Sequence, residues 1–343
     1  MDRRSFIVGM GGLSAVGVGG VAPALAEGPA TAVTGCSGAA ITLTIRGAAG
    51  ATIGWADDQA YRMARAIELA TGGRLRFVSA LNDTIADVEI AGADQLVALD
   101  PAFGYLAGLP GGRVLDATDL MAWFNHGGGS ALIDGLAQDL DVAVVPFGHA
   151  GTAKLWFADE RPGPLAGRTV AVSGTGKAVA RGLGASLRDA TEFGPAPAAV
   201  VEASPLEVVT GGLLGHVRSV VDAAVTPRGT TLSLVFARPA WDRLPPDLQR
   251  AIQHTGERHY ADAVAEDRAH AEDILHGLVI DGFALTGRLQ RGSGADVEIG
   301  TIEAVAAAVI ADVASGTPQA RRIAASYDRF AALRRGLISY AAA

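Results

Sequence analysis

Cysteine is almost absent from this 343-residue chain. Cys36 stands alone, which excludes an internal disulfide and a cysteine-rich metal site. Lysine is nearly as scarce: Lys154 and Lys177 are the only two, and the other basic residues are arginines. Acidic residues outnumber basic ones by 36 to 28, for a formal net charge of −8. A surface of that sign lacks the basic face that nucleic-acid phosphates or anionic lipids require, so no nucleic-acid partner is expected. Long hydrophobic runs are missing too. Beyond the N-terminus no apolar stretch is unbroken enough to span a bilayer, although hydrophobic residues, at 49%, are ample for a core.

Catalytic signatures are incomplete in the same way. His126-Gly127-Gly128-Gly129-Ser130 has the look of an esterase oxyanion loop, but no G-x-S-x-G nucleophile turn follows it. A tight turn opening a helix is the plainer reading. Ser173-Gly174-Thr175-Gly176-Lys177 resembles the end of a phosphate loop. Ala171 and Ala178 stand where that motif needs Gly and Ser or Thr. These glycines instead suit backbone passing close to a cleft. The seven histidines are scattered, and His254 and His259 are five apart rather than the four that puts two ligands on one helix face. No H-E-x-x-H occurs, so neither an enzyme nor a bound metal or cofactor is expected.

What is present begins with an export signal. Arg3-Arg4 precedes a glycine-rich apolar run, and Ala24-Leu25-Ala26 supplies a small-x-small cleavage site. The paired arginines point to the twin-arginine route and hence to the periplasm. Residues 1–26 are read as this signal and 27–40 as a flexible lead. The chain that remains exceeds the roughly 250–300 residues at which one core stops growing, so two domains are expected.

Period-2 alternation predicts a strand at Ile41 to Ile45. Leu75 to Ala80, Asp141 to Val145, Thr169 to Val172 and Ala198 to Val201 also read as strands, and Thr231 to Phe236 as a buried one. Helical spacing falls at Gln59 to Thr71, Lys177 to Arg188 and Pro205 to Leu214. Strands alternating with helices imply an α/β chain with parallel sheets. From Pro246 to about Leu278 the apolar period continues with no breaker, through Leu248, Ile252, Tyr260, Val264, Ile274 and Leu278. A helix of that length extends about 50 Å at 1.5 Å per residue, enough to lie across two domains. His259, His270 and His276 fall on what reads as its solvated face. Two further helices are expected near Ile299 to Val313 and Pro318 to Tyr340, the second opened by Thr317-Pro318.

Several stretches together resemble the solute-binding proteins of tripartite ATP-independent periplasmic (TRAP) transporters, in the branch associated with 2-oxo acids and related organic acids. They are Thr71-Gly-Gly-Arg-Leu75, Pro101-Ala-Phe103 running to Pro110-Gly-Gly112, and Ala122-Trp123 with His126-Gly-Gly-Gly129. Pro146-Phe-Gly148 to Trp156-Phe157 and Leu165-Ala-Gly167 to Gly176 continue the likeness. Trp241-Asp-Arg-Leu-Pro245 with Asp247-Leu-Gln249 carries it furthest.

The resemblance implies a two-domain periplasmic binding protein fold of α/β class, with strands crossing between domains and one long helix across both. Domain I is expected at 41–150 with 237–250, and domain II at 151–236. The bridging helix is expected at 246–278 and the C-terminal helices at 295–343. The implied partners are a small organic solute, the membrane subunits of a TRAP transporter, and a second copy of the chain bound through the C-terminal helices.

The resemblance also places a solute cleft between the domains. Trp55, Trp123 and Trp156 would be its apolar walls, with His149 beside them. Lys154 and Lys177 are the candidate cations, and Ala171 and Asp222 complete the lining. Two of these positions depart from the pattern. Ala171 stands where the resemblance places a carboxylate-clamping arginine, and Val221-Asp222 where it places a Glu-Trp pair. An alanine cannot make the fork of parallel hydrogen bonds that an arginine gives a carboxylate. The expectation is therefore weak binding of simple 2-oxo acids and a preference for a larger or less charged solute. The alternative is a scaffold or sensor that keeps the fold without transport.

Overall fold

The structure, a computed structural model, describes residues 40–47, 53–80, 85–107, 109, 115–150, 155–158, 164–172, 174–189, 200–203, 219–221, 230–280, 284–286 and 296–341. The expected export signal and lead, Lys154, Asp222 and the helix expected at Pro205 to Leu214 lie outside these residues.

Domain I opens with β1 (Ile41–Arg46), α1 (Ile53–Ala70), β2 (Leu75–Ser79) and β3 (Val88–Gly92). Short helices α2 (Ala93–Leu96) and α3 (Gly104–Ala107) flank a 3-10 turn at Pro101–Phe103, and α4 (Ala117–His126) and α5 (Gly129–Asp139) lead into β4 (Val142–Ala150). Domain II follows with β5 (Leu155–Ala158), β6 (Thr169–Val172), α6 (Gly176–Gly182), β7 (Ser186–Asp189), β8 (Val200–Ala203) and β9 (Ser219–Val221). The chain returns through β10 (Thr230–Ala237), α7 (Arg238–Asp242), α8 (Pro246–Ile280) and β11 (Ala284–Thr286), then α9 (Asp296–Ser315) and α10 (Pro318–Ala341).

One sheet runs β2-β1-β3-β10-β4 and the other β11-β9-β5-β8-β6-β7. Strand crossings between the sheets are β4 into β5 and β9 into β10. β4 and β10 lie side by side, antiparallel, from Val142↔Ala237 to Ala150↔Thr230. The expected fold class, two α/β domains with crossing strands, is the observed one. The long helix is a single element, Pro246–Ile280. It packs on β4 and α1 of the first sheet and leads into β11, which pairs with β9 of the second.

Each domain has its own core. On one face of the first sheet Leu43, Val88, Val145, Phe147 and Phe236 pack against Met63 and Ile67 of α1 and Ile252 of α8. On the other face Ala91, Val144 and Val235 meet Trp123, Ile133, Ile323 and Tyr327 from α4, α5 and α10. In domain II, Val170, Val172 and Val200 pack against Val179 of α6 and Ile302 and Ala306 of α9. The far end of α9, at Ile310 and Val313, joins the core of domain I. A second helix therefore ties the domains together, and its sequence gave no sign of it.

Three local readings change. Lys177 to Arg188 is not one helix. Gly184 at φ 78° turns the chain after α6, and Ser186 to Asp189 then pairs with β6 as a parallel strand. His259 is not on a solvated face: half-buried, it meets the carbonyl of Phe147 through Nδ1 at 3.0 Å, and burial lowers its pKa. The strand β3, fully buried, was not foreseen.

Candidate functional site

In open α/β sheets ligands bind beyond the carboxyl ends of parallel strands, where the strand order reverses. Each sheet here has such a point. In the first, β1 leads to β2 on one side while β3 lies on the other. In the second, β6 leads to β7 on one side and β8 lies on the other. β4 ends at Ala150 on the same edge as the ends of β1 and β3, and β5 begins at Leu155, opposite Ala203 at the end of β8.

At the first reversal point Arg46 is the last residue of β1, in register with Glu89 of β3. Their side chains form an ion pair, Nη1 to Oε1 at 3.4 Å, with only 16% and 7% of each exposed. β3 continues to Gly92, so the end of β1 sits in a notch beside it. Burial pushes the Glu89 carboxyl up to about 7, against the attraction of Arg46.

At the second reversal point the residues are Ala171, buried on β6, then Thr175 and Gly176 at the start of α6, and Glu202 near the end of β8. Thr175 is buried, and its Oγ1 has no hydrogen-bond partner among the described residues. Gly176 lies close against Glu202: a Cβ there would stand 2.8 Å from Glu202 Oε2. The same loop reaches across to domain I: a Cβ on Gly104, at the start of α3, would lie 2.9 Å from Thr175 Cγ2.

No protein-family model and no curated protein matches this sequence. Solved structures do. A TRAP periplasmic solute-binding protein from Pseudoalteromonas atlantica, with bound sodium and pyruvate, superposes with a TM-score of 0.76 at 17% identity, over 88% of this chain and 97% of that one. A TRAP solute-binding protein from Bordetella bronchiseptica, with calcium and picolinate, gives 0.76 at 14% identity over 89% and 95%. One from Colwellia psychrerythraea, with calcium and pyruvate, gives 0.75 at 18% over 87% and 96%. The chain has the TRAP solute-binding fold. Others of this fold carry malonate, galacturonate or pyroglutamic acid. The structures it resembles are receptors rather than enzymes.

Within this fold the expected site residues separate. Trp156 is in register with Glu202 on one side and Val221 on the other, beside the strand that precedes Asp222. Ala171 is one strand further along. Lys177 is half-buried in the first turn of α6. Trp55 is in the first turn of α1, and its side chain, like that of Trp156, lies outside what is described.

Two expected residues are buried with partners of their own. The indole of Trp123 is fully buried. Its Nε1 donates to Ser326 Oγ at 3.2 Å and its ring stands edge-on to Tyr327 at 5.3 Å. The glycine run after His126 exists to fold over that ring, since a Cβ on Gly129 would lie 2.9 Å from the indole. His149 is buried too. Nδ1 lies 3.3 Å from Asp267 Oδ2 on α8, and its backbone N–H and C=O both bond the Gln59 side-chain amide. It anchors the end of β4 to α1 and α8.

Arg46, Glu89, Thr175 and Glu202 were missed. Each sits singly in a strand or turn with no motif around it. The available signal was a charged residue at the end of a strand pattern, as in Ile41-Thr-Leu-Thr-Ile-Arg46.

Proposed function

We propose that this chain is the solute-binding subunit of a TRAP-type transporter, exported to the periplasm by the twin-arginine route. It captures a small organic acid by closing its two domains and presents it to membrane subunits. The observation that carries this reading is the pair of strand-order reversal points, one in each sheet, with Gly104 of α3 closely approaching Thr175 at the second. A solute touching both edges favours the closed arrangement by the free energy of its added contacts. Every solved relative cited above holds a carboxylic acid, so acids are the class to try first. Assembly of two copies through the C-terminal helices would use the outer face of α10, where Leu333 is exposed, because its inner face is packed on α5. Sedimentation of the mature chain tests that part, and a monomer removes it.

The main test is calorimetry and small-angle scattering on the chain from residue 27 with a panel of carboxylic acids, amino compounds and neutral polyols. A saturable heat with a smaller radius of gyration is expected for at least one acid. A panel that leaves both heat and radius unchanged removes the reading in favour of a scaffold that keeps the fold. Ala171 favours that second reading, because the buried methyl offers no polar anchor on β6.

A further inference from the structure

We propose that Arg46 is the carboxylate anchor of the solute site and that Glu89 is the counter-ion it exchanges for the solute's own carboxylate. This rests on the solute-binding reading above and names the group that carries it.

A carboxylate enclosed between two domains needs a cation or several donors, because an unpaired buried charge is costly. Ala171 on the facing edge contributes a methyl group. Thr175 contributes one hydroxyl, enough for a neutral hydrogen bond and no more. Lys177 lies half-buried in the first turn of α6, and Arg188 on the outer strand β7, beyond β6 from the reversal point. Arg46 ends β1 at the reversal point of domain I itself. Leu43, Ile41 and Ile45 face the α1 side of the sheet, and alternation puts Arg46 on the opposite face, with Glu89.

The Arg46–Glu89 pair also has the character of an exchangeable contact. At 3.4 Å it is longer than the roughly 2.7–2.9 Å of a strong charge-assisted bond. Glu89 is so enclosed that its carboxyl titrates at about 7, with the attraction of Arg46 holding it from going higher. Arg46 is the charged group acting on it among the described residues, and the side chain in register across β10 is Val235. When a solute carboxylate takes the guanidinium, Glu89 loses its attraction to Arg46 and takes up a proton from solvent. The exchange removes one buried negative charge as another enters.

The test is calorimetry of the mature chain with pyruvate, picolinate, malonate and pyroglutamate, and with the neutral amides pyruvamide and picolinamide. Acids are expected to bind and the amides to fail. Arg46→Gln should weaken the acids about a hundredfold, as the loss of two charge-assisted hydrogen bonds would, with Arg46→Lys recovering part of that. Lys177→Met and Arg188→Gln should change little. Titration near pH 7 in two buffers of different ionisation enthalpy should show proton uptake on binding. Glu89→Gln should abolish that uptake and tighten acids above pH 7, because the guanidinium no longer has to leave a charged partner. Acids binding equally to Arg46→Gln and the parent, or amides binding as well as acids, overturn the anchor and leave the solute-binding reading standing. No binding by any compound class overturns both. Should Arg46→Gln fail to fold, the acid-against-amide ratio and the proton count of the parent and Glu89→Gln decide the question alone.

Discussion

At the scale of single residues, the molecule turns on what each polar atom finds as a partner. Trp123 could have lined a cleft, because a tryptophan at a break in the chain serves a wall or a core equally well. Ser326, about two hundred positions later in the chain, decides the matter by accepting the indole N–H. Trp123→Ala should therefore cost about 3–5 kcal/mol of stability, as a fully buried aromatic does, and leave solute affinity unchanged. Denaturant unfolding read beside calorimetry checks this. A stable variant that loses solute would return Trp123 to the site. His149 is settled in the same way, by Asp267 on a helix that begins almost a hundred residues further on.

At the scale of elements, α8 is the spine, and its closeness to β4 depends on one glycine. A Cβ on Gly256 would stand 2.7 Å from the carbonyl of Pro146, which is backbone and cannot rotate away. Gly256→Ala is expected to push the helix off the strand and destabilise domain I by about 1–3 kcal/mol, the usual range for overpacking. This runs against the gain that Gly to Ala gives in an open helix. Thermal melting tests the sign, and a stabilised variant would mean the helix moves more easily than its packing implies. Exposed ion pairs such as Arg62–Glu266 between α1 and α8 add little beside this packing.

At the scale of the whole molecule, a contact that belongs to neither domain alone is Gly104 against Thr175. Gly104→Ala leaves too little room beneath the Thr175 methyl. It should hold the domains apart and weaken any solute that needs closure, while each core still melts normally. Thr175→Ser removes that methyl, so the double variant should close again. Small-angle scattering with and without solute reads this directly. A Gly104→Ala protein that closes like the parent would place the contact outside the closing motion.

The sequence by itself determined the α/β class, the strand at 231–236 and the uninterrupted helix from Pro246, because each is written in local periodicity that needs no distant partner. The turn at Gly127 to Gly129 was legible for the same reason. The site was hardly legible. Arg46 and Glu89 are 43 positions apart, and Thr175 and Glu202 lie in different elements. They come together only because strand order reverses at β1/β3 and at β6/β8, a property of the sheets and not of any segment. Sheet order depends on long-range pairing, so only the tertiary structure could decide which charged strand end faces the cleft and which tryptophan is core.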